Sequence, residues 1–357
     1  MNNFFRFFYL FQLRITILIY YGYTLSVSSL DLIDKFEDSA LEKRSRNYTL
    51  LIMENFPQKK INLRQAVRLG KEISDADLCN ADLQKTNLKD YDFTDKNMTG
   101  INLRESFLTG SNFTRAILVH ANLSGVQIDR NLERKNNQSV VMMTGADLEN
   151  ANLTGANLRK ADFTNANLKN ANLKGASLKN SCFRNAILSG ANLQGADLSK
   201  AFFAGSDLKE ANLNETDCQG VKFNNTELSG CTFQRSNLKK VDLSNLDLRK
   251  IDLTEADLRK ADIRNSDLCG ARLFKTDLRN SLLSNANLMA AYLSSARMEG
   301  TNLQWANLQQ ATLRYARNLT PGQIESAKID RETKLPNYLQ IDWISENDFH
   351  CNLIADT

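Results

Sequence analysis

A large apolar residue returns at every fifth position from Leu78 to Leu313, as in the stretch ADLENANLTGANLRK that begins at Ala146. A period of five fits neither regular element. On a helix, five steps of about 100° would point successive leucines all round the axis, and on a continuous strand every second leucine would face water. The pattern instead predicts a very short extended piece followed by a corner. In each repeat the small residue (position i−2) and the Leu or Phe (position i) point inward, and the Asp or Asn between them (i−1) points outward.

Four such corners close a square, so one coil should contain twenty residues. Residues twenty apart do resemble each other, and Phe163, Phe183, Phe203 and Phe223 form one column. Asn and Gly, which tolerate the left-handed corner of a tight turn, recur in a second column two residues further on. We therefore expect an all-β solenoid, a quadrilateral β-helix of about twelve coils and roughly 58 Å in length, over residues 76–313. Residues 131–140 interrupt the pattern and are expected to form a loop, which is a candidate functional segment.

The A(D/N)LXX phrase resembles the pentapeptide-repeat family over residues 76–313. This resemblance implies a right-handed quadrilateral β-helix and says little about function. One branch of the family resembles a DNA duplex and protects type II topoisomerases from inhibitors, which implies one alternative function for this chain. The C-terminal tail is similar to tails of cyanobacterial repeat proteins of this kind.

A solenoid has a strand edge with unpaired backbone N–H and C=O groups at each end, so both ends should carry helical caps. Residues 31–75 are expected to form a helical N-terminal cap region, with a short helix within residues 61–70 stopped by Gly70. Residues 314–357 are expected to form a C-terminal helical cap and tail. Thr320 as N-cap, Pro321 at the first helical position and Gln323 three residues after the cap predict a capping box there.

Residues 1–30 form an apolar leader, rich in Phe and Tyr, with Arg6 and Arg14 in its N-terminal half. Its uncharged part has the length of a signal-peptide core, and small residues at 26–28 offer a cleavage site. A signal peptide or anchor would associate the chain with a membrane and place the repeats outside the cytoplasm. The alternatives are a mis-called start and an apolar helix docked on the cap, with the repeats in the cytoplasm. Six cysteines without a C-x-x-C spacing fit a strongly oxidising compartment poorly.

Little catalytic chemistry is available in this sequence. It has two histidines, His120 and His350, and no phosphate-binding or dinucleotide-binding glycine motif. Carboxylates abound, but the repeat itself places about one per corner on the surface. We therefore expect no enzyme activity, no catalytic residue, no cofactor and no metal site.

The balance of charged residues distinguishes between the remaining candidate functions. Residues 146–313 contain 21 Lys and Arg against 18 Asp and Glu, whereas duplex DNA of about 40 Å in length carries about 24 negative charges. The balance disfavours the DNA-mimic function. Nine cations are expected to share one face and to form a candidate partner-contact surface: Arg159, Lys160, Lys179, Lys200, Lys239, Lys240, Arg259, Lys260 and Arg279.

Four aspartates, at 197, 217, 257 and 277, fall on the same face, and no aromatic column interleaves the cations. This arrangement favours a solvated, self-neutralised surface over a nucleic-acid site. Phe274 and Tyr292 share another face on neighbouring coils, and Trp305 lies at a corner, so these aromatics are a second docking candidate. The sequence thus predicts a non-catalytic rigid scaffold whose partner is another protein. The alternatives are a topoisomerase-protecting DNA mimic and binding of nucleic acid or another acidic partner through the basic face.

Overall fold

The computed structural model describes residues 63–68, 73, 76–129, 140–345 and 348–354. The predicted leader (1–30), residues 31–62 of the predicted N-terminal cap region, Gly70 and nearly all of the predicted loop (131–140) lie outside the described residues, so these predictions stay untested. A short helix, α1, occupies Leu63–Arg68, within the segment where the sequence predicts one. No helix in the described part of the chain has the length and apolarity needed to cross a membrane.

Each five-residue repeat contributes one bridging residue and one tight turn. Asn152 pairs in parallel with Asn172, which pairs in turn with Asn192, so the coil contains twenty residues and four sides. The Leu153 N–H donates to the Asn172 carbonyl at 2.7 Å, and the Asn172 N–H donates to the Ala151 carbonyl at 2.9 Å. Backbone hydrogen bonds therefore run between coils, as a β-helix requires, and the predicted solenoid is confirmed.

The interior is a stack of apolar layers. Phe163, Phe183, Phe203 and Phe223 are fully buried. Their ring centroids lie 4.8, 4.7 and 5.6 Å apart along the column, and the first three rings are parallel within 6°. The first two distances match the separation of neighbouring hydrogen-bonded strands, about 4.7–4.9 Å. The aromatic column predicted from the twenty-residue period is therefore a continuous stack inside the β-helix.

The outward Asp or Asn of each repeat has a structural role that the sequence pattern did not reveal. The Asn152 side-chain oxygen accepts hydrogen bonds from the Thr154 N–H at 3.0 Å and from the Thr154 hydroxyl at 2.7 Å. Asp257 accepts from the Arg259 N–H in the same way, at 3.3 Å. These Asx turns hold the backbone at the corner, which explains why Asp and Asn dominate this position.

The corners are less selective than predicted. The second turn residue has a positive φ throughout the described repeats, and this conformation is adopted by Lys160 (63°), Lys200 (60°) and Trp305 (57°) as well as by Asn and Gly. A left-handed residue with a side chain costs about 1–2 kcal/mol. Closure of the coil and its hydrogen bonds outweigh this cost, so many residue types occupy the corner.

The repeat register continues across the interruption. Asn122 pairs with Asn152, thirty residues later, where the other coils pair residues twenty apart. One coil therefore contains ten additional residues, and the coils on either side stack directly on each other.

The C-terminal edge of the solenoid is bound by a second helix, α2 (Pro321–Glu325). The predicted capping box is present, with the Thr320 side chain accepting from the Gln323 N–H. The Gln323 side chain also donates to the carbonyls of Met298 and Thr301, at 3.0 and 2.8 Å. The Met298 carbonyl also accepts from the Thr301 N–H at 3.1 Å, whereas no backbone N–H of a following coil donates to the Thr301 carbonyl among the described residues.

The helical cap predicted within residues 314–357 is α2, and the sequence predicts no regular element for the tail that follows it. It forms an antiparallel hairpin of two strands, β1 (Leu339–Trp343) and β2 (Phe349–Leu353). Trp343 and Phe349 contact each other with centroids 5.3 Å apart, and the N–H of buried Cys351 donates to Glu325 at 2.9 Å. The hairpin thus packs on α2 through its apolar side, a tertiary contact with no signature in the repeat.

Candidate functional site

The structure places the nine predicted cations on one side of the β-helix, here called the basic face. Its bridging residues are Asn157, Ser177, Asp197 and each twentieth residue onward to Arg297. The cations occupy the two turn positions that follow these bridges: Arg159, Lys160, Lys179, Lys200, Lys239, Lys240, Arg259, Lys260 and Arg279. Between residues 156 and 300 the face has ten Lys and Arg against five Asp and Glu.

The C-terminal part of the basic face is a ladder of ion pairs. The Arg259 guanidinium donates to Asp257 at 2.7 and 2.8 Å, and Arg279 makes the same contacts with Asp277 at 2.7 and 2.9 Å. Arg259 Nε also lies 3.8 Å from Asp277, which joins two coils, and Lys239 Nζ lies 3.3 Å from Asp257. The self-neutralisation expected from the sequence is therefore present at these three cations.

The ion pairs shift the titration of both partners. Partial burial opposes ionisation of Asp257, but hydrogen bonds from Arg259 and Lys239 outweigh it and hold the pKa of the carboxyl below its ordinary value. The same balance lowers the pKa of Asp277, where Arg279 is the donor. Hydrogen bonding to Asp257 raises the pKa of Arg259 in turn. These carboxylates therefore stay ionised at neutral pH and bind their own arginines.

Six of the nine cations make no ion pair with any described residue: Arg159, Lys160, Lys179, Lys200, Lys240 and Lys260. Four of them are corner lysines with positive φ, between 58° and 63°. Hydrogen bonds between coils fix the backbone at these corners. The Cα atoms that carry the four lysine side chains are therefore held in fixed positions. Four of the six unpaired cations lie within residues 159–200. The spacing of residues in the sequence did not distinguish the unpaired cations from the paired ones.

The opposite face has the reverse balance. Its repeats run from 146–150 to 306–310 at twenty-residue intervals and contain seven Asp and Glu against four Lys and Arg. The surface is thus a mosaic of basic and acidic sides and lacks the uniform negative charge of a DNA duplex.

The cysteines show no reactive arrangement. All six are free thiols, and Cys218 and Cys231 are buried. Desolvation raises the pKa of each of these two thiols to about 12, which leaves them protonated and unreactive in the native state. No cluster of three His, Cys, Asp or Glu side chains that could hold a metal occurs among the described residues.

Exposed aromatic side chains gather near the C-terminal end of the β-helix. Phe274, Tyr292 and Trp305 are 40%, 58% and 69% exposed, and Tyr315, which the sequence reading overlooked, is 70% exposed. Phe274, Tyr292 and Tyr315 lie on three successive coils of one side, whereas Trp305 lies at a different corner. The Lys275 ammonium lies 5.1 Å from the centroid of the Phe274 ring.

Comparison with known proteins agrees with this repeat geometry. The family Pentapeptide repeats matches residues 97–130, 143–180 and 271–310, in eight copies. A second family, Pentapeptide repeat region, matches residues 196–273. No curated protein matches the chain.

Several solved structures are similar to this chain. HetL, a pentapeptide repeat protein involved in heterocyst differentiation regulation in the cyanobacterium Nostoc, is 26% identical, covers 77% of this chain and 93% of its own, and has a TM-score of 0.22. QnrB1, a plasmid-mediated fluoroquinolone resistance protein, is 15% identical, with coverages of 63% and 92% and a TM-score of 0.34. A pentapeptide repeat protein of the Arabidopsis thaliana thylakoid lumen is 32% identical over 27% of this chain and 71% of its own, with a TM-score of 0.16.

Proposed function

The chain belongs to the pentapeptide-repeat family, and on this premise we propose that it is a non-catalytic rigid scaffold whose basic face binds another protein. The observation that carries the proposal is the division of the basic face into paired and unpaired cations. Arg259 and Arg279 are occupied by Asp257 and Asp277, whereas the cations around residues 159–200 have no ionic partner among the described residues. Carboxylates of a partner protein would form ion pairs with these unpaired cations.

Rigidity supports this mechanism. Successive coils are joined by backbone hydrogen bonds, which measure 2.7–2.9 Å at Leu153, Asn172 and Leu173. A preformed surface loses little conformational entropy on binding, so more of the contact energy appears as affinity. We further infer a right-handed β-helix of about twelve coils, whose ends are capped by the segments around α1 and α2.

The proposal is tested by reversing charge where the basic face is unpaired. The full chain carrying Lys160→Glu, Lys179→Glu and Lys200→Glu should lose the proteins that crosslink to the wild-type chain in its native cells, as measured by quantitative mass spectrometry. A control with Lys169→Glu, Lys174→Glu and Lys222→Glu changes the net charge equally, on exposed positions of other faces. Equal retention of partners by both variants would refute a role for the basic face.

We also propose that residues 1–30 export the chain or anchor it to a membrane, with the repeats outside the cytoplasm. The proposal rests on the apolar composition of the leader and the small residues at 26–28. Intact mass of the natively expressed protein tests it. Cleavage near Ser28 or recovery in the membrane fraction would support export or anchoring, whereas a full-length cytosolic chain would refute both.

A further inference from the structure

Two neighbouring sides of the β-helix carry no charge in its last two coils. These sides are built from residues 281–290 and 301–310, which contain no Asp, Glu, Lys or Arg, although these four types make up 24% of the chain. On the first of these sides the preceding coil has Asp262 and Arg264, which form an ion pair with each other. A charged ligand that leaves water against such a surface finds no counter-charge, and desolvation of an unpaired charge is costly. The composition therefore favours an uncharged ligand.

Five exposed side chains lie where these two sides meet, and we call them the neutral edge: Leu282, Asn285, Asn302, Gln304 and Trp305. Leu282 and Asn302 are bridge partners on neighbouring coils, and Asn285 and Trp305 occupy the same corner of those coils. The side-chain amides of Asn285 and Gln304 make no hydrogen bond to any residue that the structure describes, and neither does the indole N–H of Trp305. The neutral edge thus has free donors and acceptors next to an aromatic ring.

Trp305 is the departure from the repeat on which the edge is centred. It adopts the left-handed corner with φ of 57°, and its side chain is 69% exposed. Closure of the coil imposes this conformation on every corner, so the conformation itself requires no ligand. A large exposed ring gains nothing from packing, however, and a single exposed aromatic acquires meaning from its surroundings. Here the surroundings are free amides on an uncharged surface.

The corner that ends at Trp305 carries a row of amides. Asn occupies it in the four preceding coils, at 225, 245, 265 and 285, with φ between 55° and 59°. The left-handed backbone does not require Asn, because lysine occupies four of the equivalent corners of the basic face with the same φ. The Asn265 amide donates to Asn245 at 3.2 Å, which aligns two members of the row. With a rise of about 4.8 Å per coil, the row and Trp305 span about 19 Å along the β-helix.

Sugar rings have the chemistry that matches this edge. A pyranose presents C–H groups on its faces and hydroxyl groups at its rim. The C–H face packs against an aromatic ring, whose face is negative, and an amide can both donate to and accept from a hydroxyl group. A protein interface of this size would be expected to contain Arg, which the neutral edge lacks. The corners stack directly on each other, so the row is straight and fits an extended chain.

We propose that the neutral edge binds an extended, uncharged polysaccharide of the β-1,4-linked class. One sugar ring stacks on Trp305, and the hydroxyl groups of that ring and its neighbour bond to the amides of Asn285 and Gln304. The rest of the chain follows the row of Asn side chains along the β-helix. This site lies on other sides of the β-helix than the basic face, and it does not rest on the function proposed for that face.

Calorimetric titration of the full chain with three neutral hexasaccharides, cellohexaose, xylohexaose and mannohexaose, tests the proposal. At least one should bind at submillimolar concentration. Maltohexaose, whose α-1,4 linkages coil the chain, should bind about tenfold more weakly. Trp305 and Trp343 are the two tryptophans of the sequence, so the fluorescence of a Trp343→Phe variant reports Trp305 alone. This fluorescence should change as the sugar saturates the site.

Variants separate the stacking contact from the amide contacts. Trp305→Ala should weaken binding about tenfold, because it removes the stacking surface. Asn285→Gly keeps the left-handed corner but removes one amide, and it should weaken binding about two- to tenfold. The matched control is Asn165→Gly, at the same corner toward the other end of the β-helix, which should bind like the wild-type chain. Circular dichroism checks that every variant remains folded.

Several results would overturn the proposal. They are absence of binding to all three hexasaccharides, unchanged affinity in folded Trp305→Ala, equal losses in Asn285→Gly and Asn165→Gly, and equal binding of maltohexaose. A Trp305 fluorescence that changes with protein concentration in the absence of sugar would also overturn it, because a second copy of the chain would then cover the edge.

Discussion

The stacked Phe column provides the sharpest test of the interior. Phe183 and Phe203 are fully buried, with centroids 4.7 Å apart and planes within 6°. Parallel rings at this distance are offset stacked, an arrangement that contributes about 0.5–1.5 kcal/mol beyond the apolar area buried. Each ring belongs to a different coil, so the stacking energy is also a coupling energy between coils.

The perturbation is a double-mutant cycle with Phe183→Leu and Phe203→Leu. Each substitution alone should reduce the free energy of unfolding by about 1–3 kcal/mol, because leucine fills the site incompletely. The pair should destabilise less than the sum of the two, by the stacking energy of about 0.5–1.5 kcal/mol. Chemical denaturation followed by circular dichroism, fitted with nearest-neighbour coupling between coils, measures these values.

A control cycle uses Phe183→Leu with Phe223→Leu. These rings occupy the same column but are separated by Phe203, which lies 4.7 Å from one and 5.6 Å from the other. Their effects should add within about 0.5 kcal/mol. A coupling energy near zero for the contacting pair, or an equal coupling for the separated pair, would refute the assignment of stacking as the contact between coils.

Three further predictions concern corners, ion pairs and thiols. Gly175→Ala should reduce the free energy of unfolding by about 1 kcal/mol, because the φ of Gly175 is +65° and nothing lies within 4 Å of the added Cβ. Gly205→Ala should reduce it more, because its Cβ would clash with a side chain of the neighbouring coil. Equal losses of stability in chemical denaturation would contradict this difference. Because the folded pKa of Asp257 is depressed, its contribution is present above the unfolded pKa of about 3.9 and is lost as pH falls through the folded pKa. Asp257→Asn should therefore flatten the fall in thermal midpoint below about pH 4, and an unchanged slope would exclude the ion pair as its source. Cys218 and Cys231 should react with a thiol reagent only after unfolding, because burial raises the pKa of each thiol to about 12, and rapid native labelling at either residue would contradict this burial.

The interior of this protein could be read from its sequence because the coil is local and repeated. The five-residue period determines which side chains point inward, and the twenty-residue period places Phe163 next to Phe183, where the two rings stack. The nine cations were assigned to one side by the same counting, and they lie there. A local rule repeated along the chain has few alternative solutions, since a change of register would expose every leucine.

Contacts between residues that the period does not relate were decided only by the tertiary structure. The sequence placed Asp257 and Arg259 on one face, but only side-chain geometry shows that they form an ion pair, whereas Lys160 and Lys200 pair with no residue in the described part of the chain. The sequence predicts a helical cap, which is α2, followed by a tail with no assigned element. Only the structure shows that this tail forms a hairpin that packs on α2, outside the repeat. Periodicity specifies backbone register and burial, whereas ion pairing and the packing of a non-repeating tail depend on which surfaces the finished fold brings together.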